Sequence, residues 1–137
     1  MFGRIDANDL GKLVLRVSLG AMMLLHGISK LRYGVDGIEA NLESKGLPGF
    51  IAYGVYVGEV VAPLLMIVGW RARIAAAVFA FNMVVATLLS HAGDILTLTK
   101  SGAWGIELQM LYFFGGVAVM LVGAGRYSIS RGDSRFD

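Results

Sequence analysis

The chain has 137 residues, enough for one domain. Hydrophobic residues make up 56% of it and charged residues only 16%, against about 25% in an ordinary soluble domain, which excludes a soluble globule and a disordered chain alike. A net charge of +2 with no basic, aromatic-laced run argues against nucleic acid as a partner, and the absence of cysteine excludes disulfides, thiolate zinc sites, iron–sulfur clusters and c-type haem.

Mean hydropathy is +0.68, so the solvent for this chain is a bilayer. Four stretches approach the roughly 20 apolar residues that a span needs. They run over 13–31, 50–69, 74–91 and 104–123. Backbone groups in lipid have no water to bond, so these spans are helices, and no period-two alternation suggests a barrel. The first span carries Arg16 and follows Asp6 and Asp9, and no small-x-small cleavage site follows Leu31. It reads as a retained helix rather than a cleaved leader.

Between the first two spans, Asp36 followed by Glu39 fits an N-cap with an acid at N3, and Gly46 followed by Pro48 is a stop signal. A short amphipathic helix carrying Ile38 and Leu42 is predicted there, on the outer face of the membrane. Spans two and three are joined by a tight basic link and form an antiparallel hairpin. The segment 124–137 is a polar tail, expected to fray. The predicted fold is therefore all-α: a single integral membrane four-helix bundle with one short helix in its first external loop.

Lys and Arg in the loops set orientation. Arg4, Lys12, Arg71, Arg73, Arg126, Arg131 and Arg135 fall on one side; Lys30, Arg32, Lys45 and Lys100 fall on the other. Both termini should therefore face the cytoplasm. Trp70 and Trp104 sit at opposite expected interfaces.

The informative residues are the polar ones inside the spans, each costing about 2.5–3.5 kcal/mol at mid-membrane. Arg16, His26 and Lys30 share a sector of roughly 80° on the first helix, so that stripe faces the bundle. Gly20 and Gly27 lie beside it and permit close helix approach. Glu59 is near the middle of span two, about 14 Å from either end. Pro63, four residues later, frees the Glu59 carbonyl from its helical bond. Glu107 is one turn inside span four, and His91 ends span three on the same side. His26, His91 and Glu107 are expected to meet in the outer half, with Glu59 deeper and Arg16 deeper still, where it either pairs with Glu59 or snorkels to the cytoplasmic interface. Asn82 and His91 project to opposite faces of their helix, as do roughly Glu107 and Gln109, so at most one of each pair points fully inward. No ligand-spacing motif supports a metal site, and His26 with His91 makes a poor axial pair for haem.

Several of these elements together resemble the DoxX family of small bacterial four-span membrane proteins. They are LRVSLGAMMLLHGISKL in span one, KGLP at Lys45 to Pro48, GEVVAPLLMIVGWRAR at Gly58 to Arg73, His91, GIELQMLYF at Gly105 to Phe113 and GAGRYSI at Gly123 to Ile129. The resemblance implies a four-helix bundle in the bacterial inner membrane and an association with redox chemistry, including quinone reduction and resistance to quinone or oxidative stress. It implies no catalytic residues, but Arg16, His26, Glu59 and Glu107 match places where the family pattern is polar.

Three functions compete. The first is a quinone-interacting subunit of a membrane redox system. His26 or Glu107 would bond a quinone oxygen, Glu59 would relay charge tuned by Arg16, and electrons would come from a partner protein, since no haem, flavin or iron–sulfur motif is present. Lys30, Asn82, His91 and Gln109 are secondary polar candidates. The second is a non-enzymatic scaffold or assembly factor, with the outer amphipathic loop docking a partner protein and span four offering a surface for homo-oligomers. The third is transport of a small solute or of protons past Glu59.

Overall fold

The computed structural model of the protein describes residues 5–137. Arg4, one of the cations counted for orientation, lies outside the described residues. The architecture is all-helical, and the one extended contact among the described residues is an isolated bridge between Leu98 and Trp104.

Helix α1 (Ala7–Tyr33) starts six residues before the apolar run, because Asp6 caps it by accepting from the Asn8 N–H at 2.9 Å. Helix α2 (Asp36–Ser44) is the predicted short helix. Its N-cap is Val35, with no side-chain cap bond, so the Asp36 cap expected from sequence does not form. Its end does follow the stop signal. Gly46 takes φ +75°, its N–H bonds the Glu43 carbonyl, and the Leu47 N–H bonds the Leu42 carbonyl. That paired arrangement satisfies carbonyls of the last turn of α2.

Helix α3 (Gly49–Val68) is continuous but not uniform. It opens as a 3-10 turn over Gly49–Tyr53, widens to a π turn over Val57–Val61, and closes as α-helix over Ala62–Val68. In the wide turn the Ala62 N–H reaches the Val57 carbonyl, five residues back. Pro63 has no N–H and its ring crowds the preceding turn, a misfit the wider turn absorbs. Gly69, at φ +71°, ends the helix. Helix α4 (Ala72–Ser90) returns beside it, and helix α5 (Glu107–Val122) completes the bundle. Three helices, α1, α3 and α4, are long and apolar enough to cross a membrane; α5 is apolar but shorter, at 16 residues.

Helix α5 begins at Glu107, not Trp104. Trp104 belongs to the preceding loop, where its indole donates to the Ile95 carbonyl at 2.6 Å. Trp70 and Trp104 still fall at opposite ends of the bundle.

The main core cluster is built from Leu19, Met23, Met66, Phe79, Met83 and Tyr112 with small residues between them, and a second, of Val35, Leu42 and Ala52, sits under α2. Large apolar side chains such as Leu25, Phe81, Leu88, Leu111 and Phe114 are exposed on the outside. A water-soluble bundle would bury them; here they form the lipid-facing surface. Helices α4 and α5 pack tightly, since a Cβ on Gly116 would already touch Phe79 and Ala80.

The tail does not fray as expected. The Ile129 N–H bonds the Val68 carbonyl at 3.0 Å, the Ser130 hydroxyl donates to the Gly69 carbonyl at 2.8 Å, and the Asp137 carboxylate accepts from the Arg71 N–H at 2.7 Å. Polar tail groups serve as partners for helix ends that composition alone leaves unpaired.

Candidate functional site

The antiparallel register of α1 on α3 decides where each buried charge goes. Gly20 meets the Pro63 carbonyl and Ile67, and Gly27 meets the Glu59 carbonyl and Val60. Lys30 therefore falls beside Glu59, and Arg16 falls at the opposite end, beside Met66 and Ile67.

Arg16 is fully buried, at 1% exposure, and pairs with no carboxylate among the described residues. Its guanidinium donates to four backbone carbonyls: Met66 at 2.8 Å, Ile67 at 2.5 Å, Ala124 at 3.1 Å, and Tyr127. The first two are last-turn carbonyls of α3, where the helix dipole is negative. Arg73 does the same for α5, donating to Met120 at 2.8 Å and Leu121 at 2.6 Å. The pairing of Arg16 with Glu59 expected from sequence does not form. Eleven residues of helix separate Arg16 from Gly27, roughly 16 Å along the axis.

Glu59 is buried, at 4% exposure, and forms an ion pair with Lys30. It lies at the depth of Gly27 to Lys30, nearer the loop end of the bundle than its position in the apolar run indicates. The 3-10 opening of α3 takes up the extra residues against α2. Lys30 is also held through its backbone, whose carbonyl accepts from the Tyr56 hydroxyl at 3.0 Å.

A cavity of about 530 Å³ opens at this pair. His26 and Lys30 of α1, Glu59 of α3, Asn82 and Met83 of α4, and Gln109 and Tyr112 of α5 contribute to its wall. Val57, Phe81 and Leu108 belong to its rim and are exposed on the outside of the bundle, so the cavity opens sideways to the surface that faces lipid. Ile38 and Leu42 close it from α2, which is pinned there by Asn41 donating to the Leu89 carbonyl at 3.0 Å.

Each polar wall group has a defined state. His26 Nδ1 lies 3.1 Å from the Met22 carbonyl, an acceptor, which leaves Nε2 as the ring nitrogen without a partner in its own helix. The ring stands edge-on to Tyr112, with centroids 6.2 Å apart. The Asn82 side-chain nitrogen is buried with no hydrogen-bond partner among the described residues.

The structure thus brings together His26, Lys30, Glu59, Asn82, His91 and Gln109 around one cavity, and leaves Arg16 and Glu107 out of its wall. Glu107 is exposed at the start of α5, while Gln109, two residues on, takes the inward face. His91 and Asn82 both line the cavity despite their expected opposition. His91 is the residue after the helix, at φ −129°, and is free of the helical register. Its ring lies 3.4 Å from Asp94. Sequence reasoning missed Tyr112, buried between His26 and Phe79; its spacing of three from Gln109 places both on one helix face and is the signal that finds it.

A family model described as DoxX matches residues 11–92, which hold most of α1, all of α2 to α4 and most of the cavity wall. "Putative oxidoreductase CatD" of Bacillus subtilis (strain 168) is 34% identical over 80 residues, or 58% of this chain. The match spans 59% of that relative's length. No solved structure matches the chain. With more than half of its length matched by the family model, the chain belongs to the DoxX family.

Proposed function

We propose that the protein is a quinone-interacting subunit of a redox system in the bacterial inner membrane, with both termini in the cytoplasm. The observation that carries this reading is the sideways-open apolar cavity with His26 and the Lys30–Glu59 pair in its wall. A quinone ring is apolar, travels in the bilayer, and presents two carbonyl oxygens that need donors. Lys30 and the His26 ring supply polar partners where the wall is otherwise apolar.

Reduction of a quinone to a quinol adds two electrons and two protons. The electrons are assigned to a partner redox protein. The protons go to the ring oxygens, and Lys30 Nζ or His26 Nε2 is the group that hands them on, with Glu59 holding the opposing charge. The name of the Bacillus relative supports the coarser half of this reading, membrane oxidoreduction. The basic residues beside the helix ends that Arg16 and Arg73 cap support the assignment of that end to the cytoplasm.

A thermal-stability titration in nanodiscs tests the proposal. Ligand binding to the native state raises stability by mass action. A saturable rise with ubiquinone or menaquinone analogues, lost in a folded His26→Ala variant, is the expected result. No shift with any quinone favours a scaffold role for the buried charges instead.

A further inference from the structure

Tyr112 of α5 is buried, at 7% exposure, and belongs to the cavity wall. Its ring is held edge-on by His26 of α1, with centroids 6.2 Å apart, and by Phe79 of α4, at 6.0 Å. Those two contacts fix the ring and with it the position of the hydroxyl. A buried tyrosine hydroxyl ordinarily finds a partner, as Tyr56 does at the Lys30 carbonyl. The Tyr112 hydroxyl has none among the described residues. It is not sealed in either, because the one enclosed side-chain nitrogen or oxygen left unpaired among the described residues is that of Asn82. The Tyr112 oxygen therefore keeps open surface, and the cavity is the opening that its side chain borders. Packing alone has no use for this oxygen: Phe79 fills the neighbouring place in the core without one. In a lipid-embedded bundle an unpaired hydroxyl is costly, since bulk water offers no alternative.

We infer that Tyr112 is a specificity-determining residue of the cavity: its hydroxyl donates to a carbonyl oxygen of the bound ligand and selects rings that carry one. The inference rests on the quinone reading and sharpens it. Lys30, held by Glu59, serves one oxygen of the ring, and Tyr112, presented by α5, serves the other. A phenol both donates and accepts, whereas an ammonium only donates. Tyr112 thus donates to the carbonyl of a quinone and accepts from the O–H of the quinol, so its contact outlasts the reduction. It holds the oxygen and keeps its own proton, while the protons of the reduction arrive through Lys30 or His26.

The test compares two probes on the full chain in nanodiscs: menadione, and 2-methylnaphthalene, which keeps the ring system and lacks both carbonyls. Tyr112→Phe removes one oxygen and keeps the ring contacts with His26 and Phe79. It is expected to weaken menadione binding about tenfold while leaving 2-methylnaphthalene binding unchanged. The infrared carbonyl stretch of bound menadione should rise in the variant, as it does when a hydrogen bond to the oxygen is lost. The melting temperature of the unliganded variant is expected to hold or rise, since the lost hydroxyl had no partner. A lower melting temperature would assign the hydroxyl to the fold and overturn the inference. So would an equal loss of both probes, or an equal menadione affinity and carbonyl stretch in wild type and variant; each leaves the quinone reading standing. Failure of the wild type to bind menadione or any longer-tailed quinone overturns both.

Discussion

Gly27 of α1 lies against the backbone carbonyl of Glu59, so closely that a methyl group at position 27 would overlap it. That carbonyl is the one Pro63 crowds, and a bare Cα is the surface the sequence places against it. The contact sets the depth at which Lys30 meets Glu59. Gly27→Ala should therefore push the two helices apart and cost about 1–3 kcal/mol, read as a lower unfolding midpoint in micelles.

Arg16 carries structure rather than chemistry. Arg16→Met strips four backbone carbonyls of their donor, two of them in the last turn of α3. Bonds to charged groups contribute about 1.5–3 kcal/mol each, so the loss should exceed about 3 kcal/mol. Arg16→Lys should recover only part of it, because an ammonium cannot span the same fork of acceptors. Unfolding midpoints rank the three proteins, and quinone affinity should not change in any variant that folds.

Lys30 and Glu59 should behave as a unit. Lys30→Met leaves the buried Glu59 carboxylate uncompensated, at a cost of about 3–5 kcal/mol, and Glu59→Gln, which leaves the partly exposed Lys30, costs less. The double variant should recover most of that stability, giving a coupling energy well above experimental error in a double-mutant cycle. Its quinone affinity should stay low, which separates the pair's role in folding from its role in binding.

Helix α2 closes the cavity, and its end depends on one residue. Gly46 sits at φ +75°, where an L side chain is strained. Gly46→Ala should cost about 1 kcal/mol. Hydrogen exchange should quicken over 36–44 and stay unchanged in α1, α4 and α5, since α2 is held to the bundle by few groups, Asn41 and Leu42 among them.

Much of this fold was legible because lipid removes choices. Apolar length gave the spans, and the Gly46–Pro48 stop gave the end of α2. The inward stripe of Arg16, Lys30 and the two glycines followed from helical period alone, with His26 at its edge. Pairing was not legible. Arg16 and Glu59 look like partners by charge, but the register of α1 on α3 depends on which glycines meet which carbonyls, and that is a contact between distant segments. The tail misled for a related reason. Its polar composition reads as solvated, yet it supplies partners to helix ends, and composition does not say which carbonyls lack donors. At the cavity, period separated Gln109 from Glu107 but failed for His91, where the helix had already ended.

The measurement that bears most directly on the cavity is photo-crosslinking with an azido-quinone in native membranes, followed by peptide mapping. The expected label falls on segments 22–30, 57–59 and 78–91 and is competed away by unlabelled quinone. Label spread over the outer apolar surface at Leu111, Phe114 and Leu121, and indifferent to competitor, would mean that the quinone meets this protein only as a lipid does.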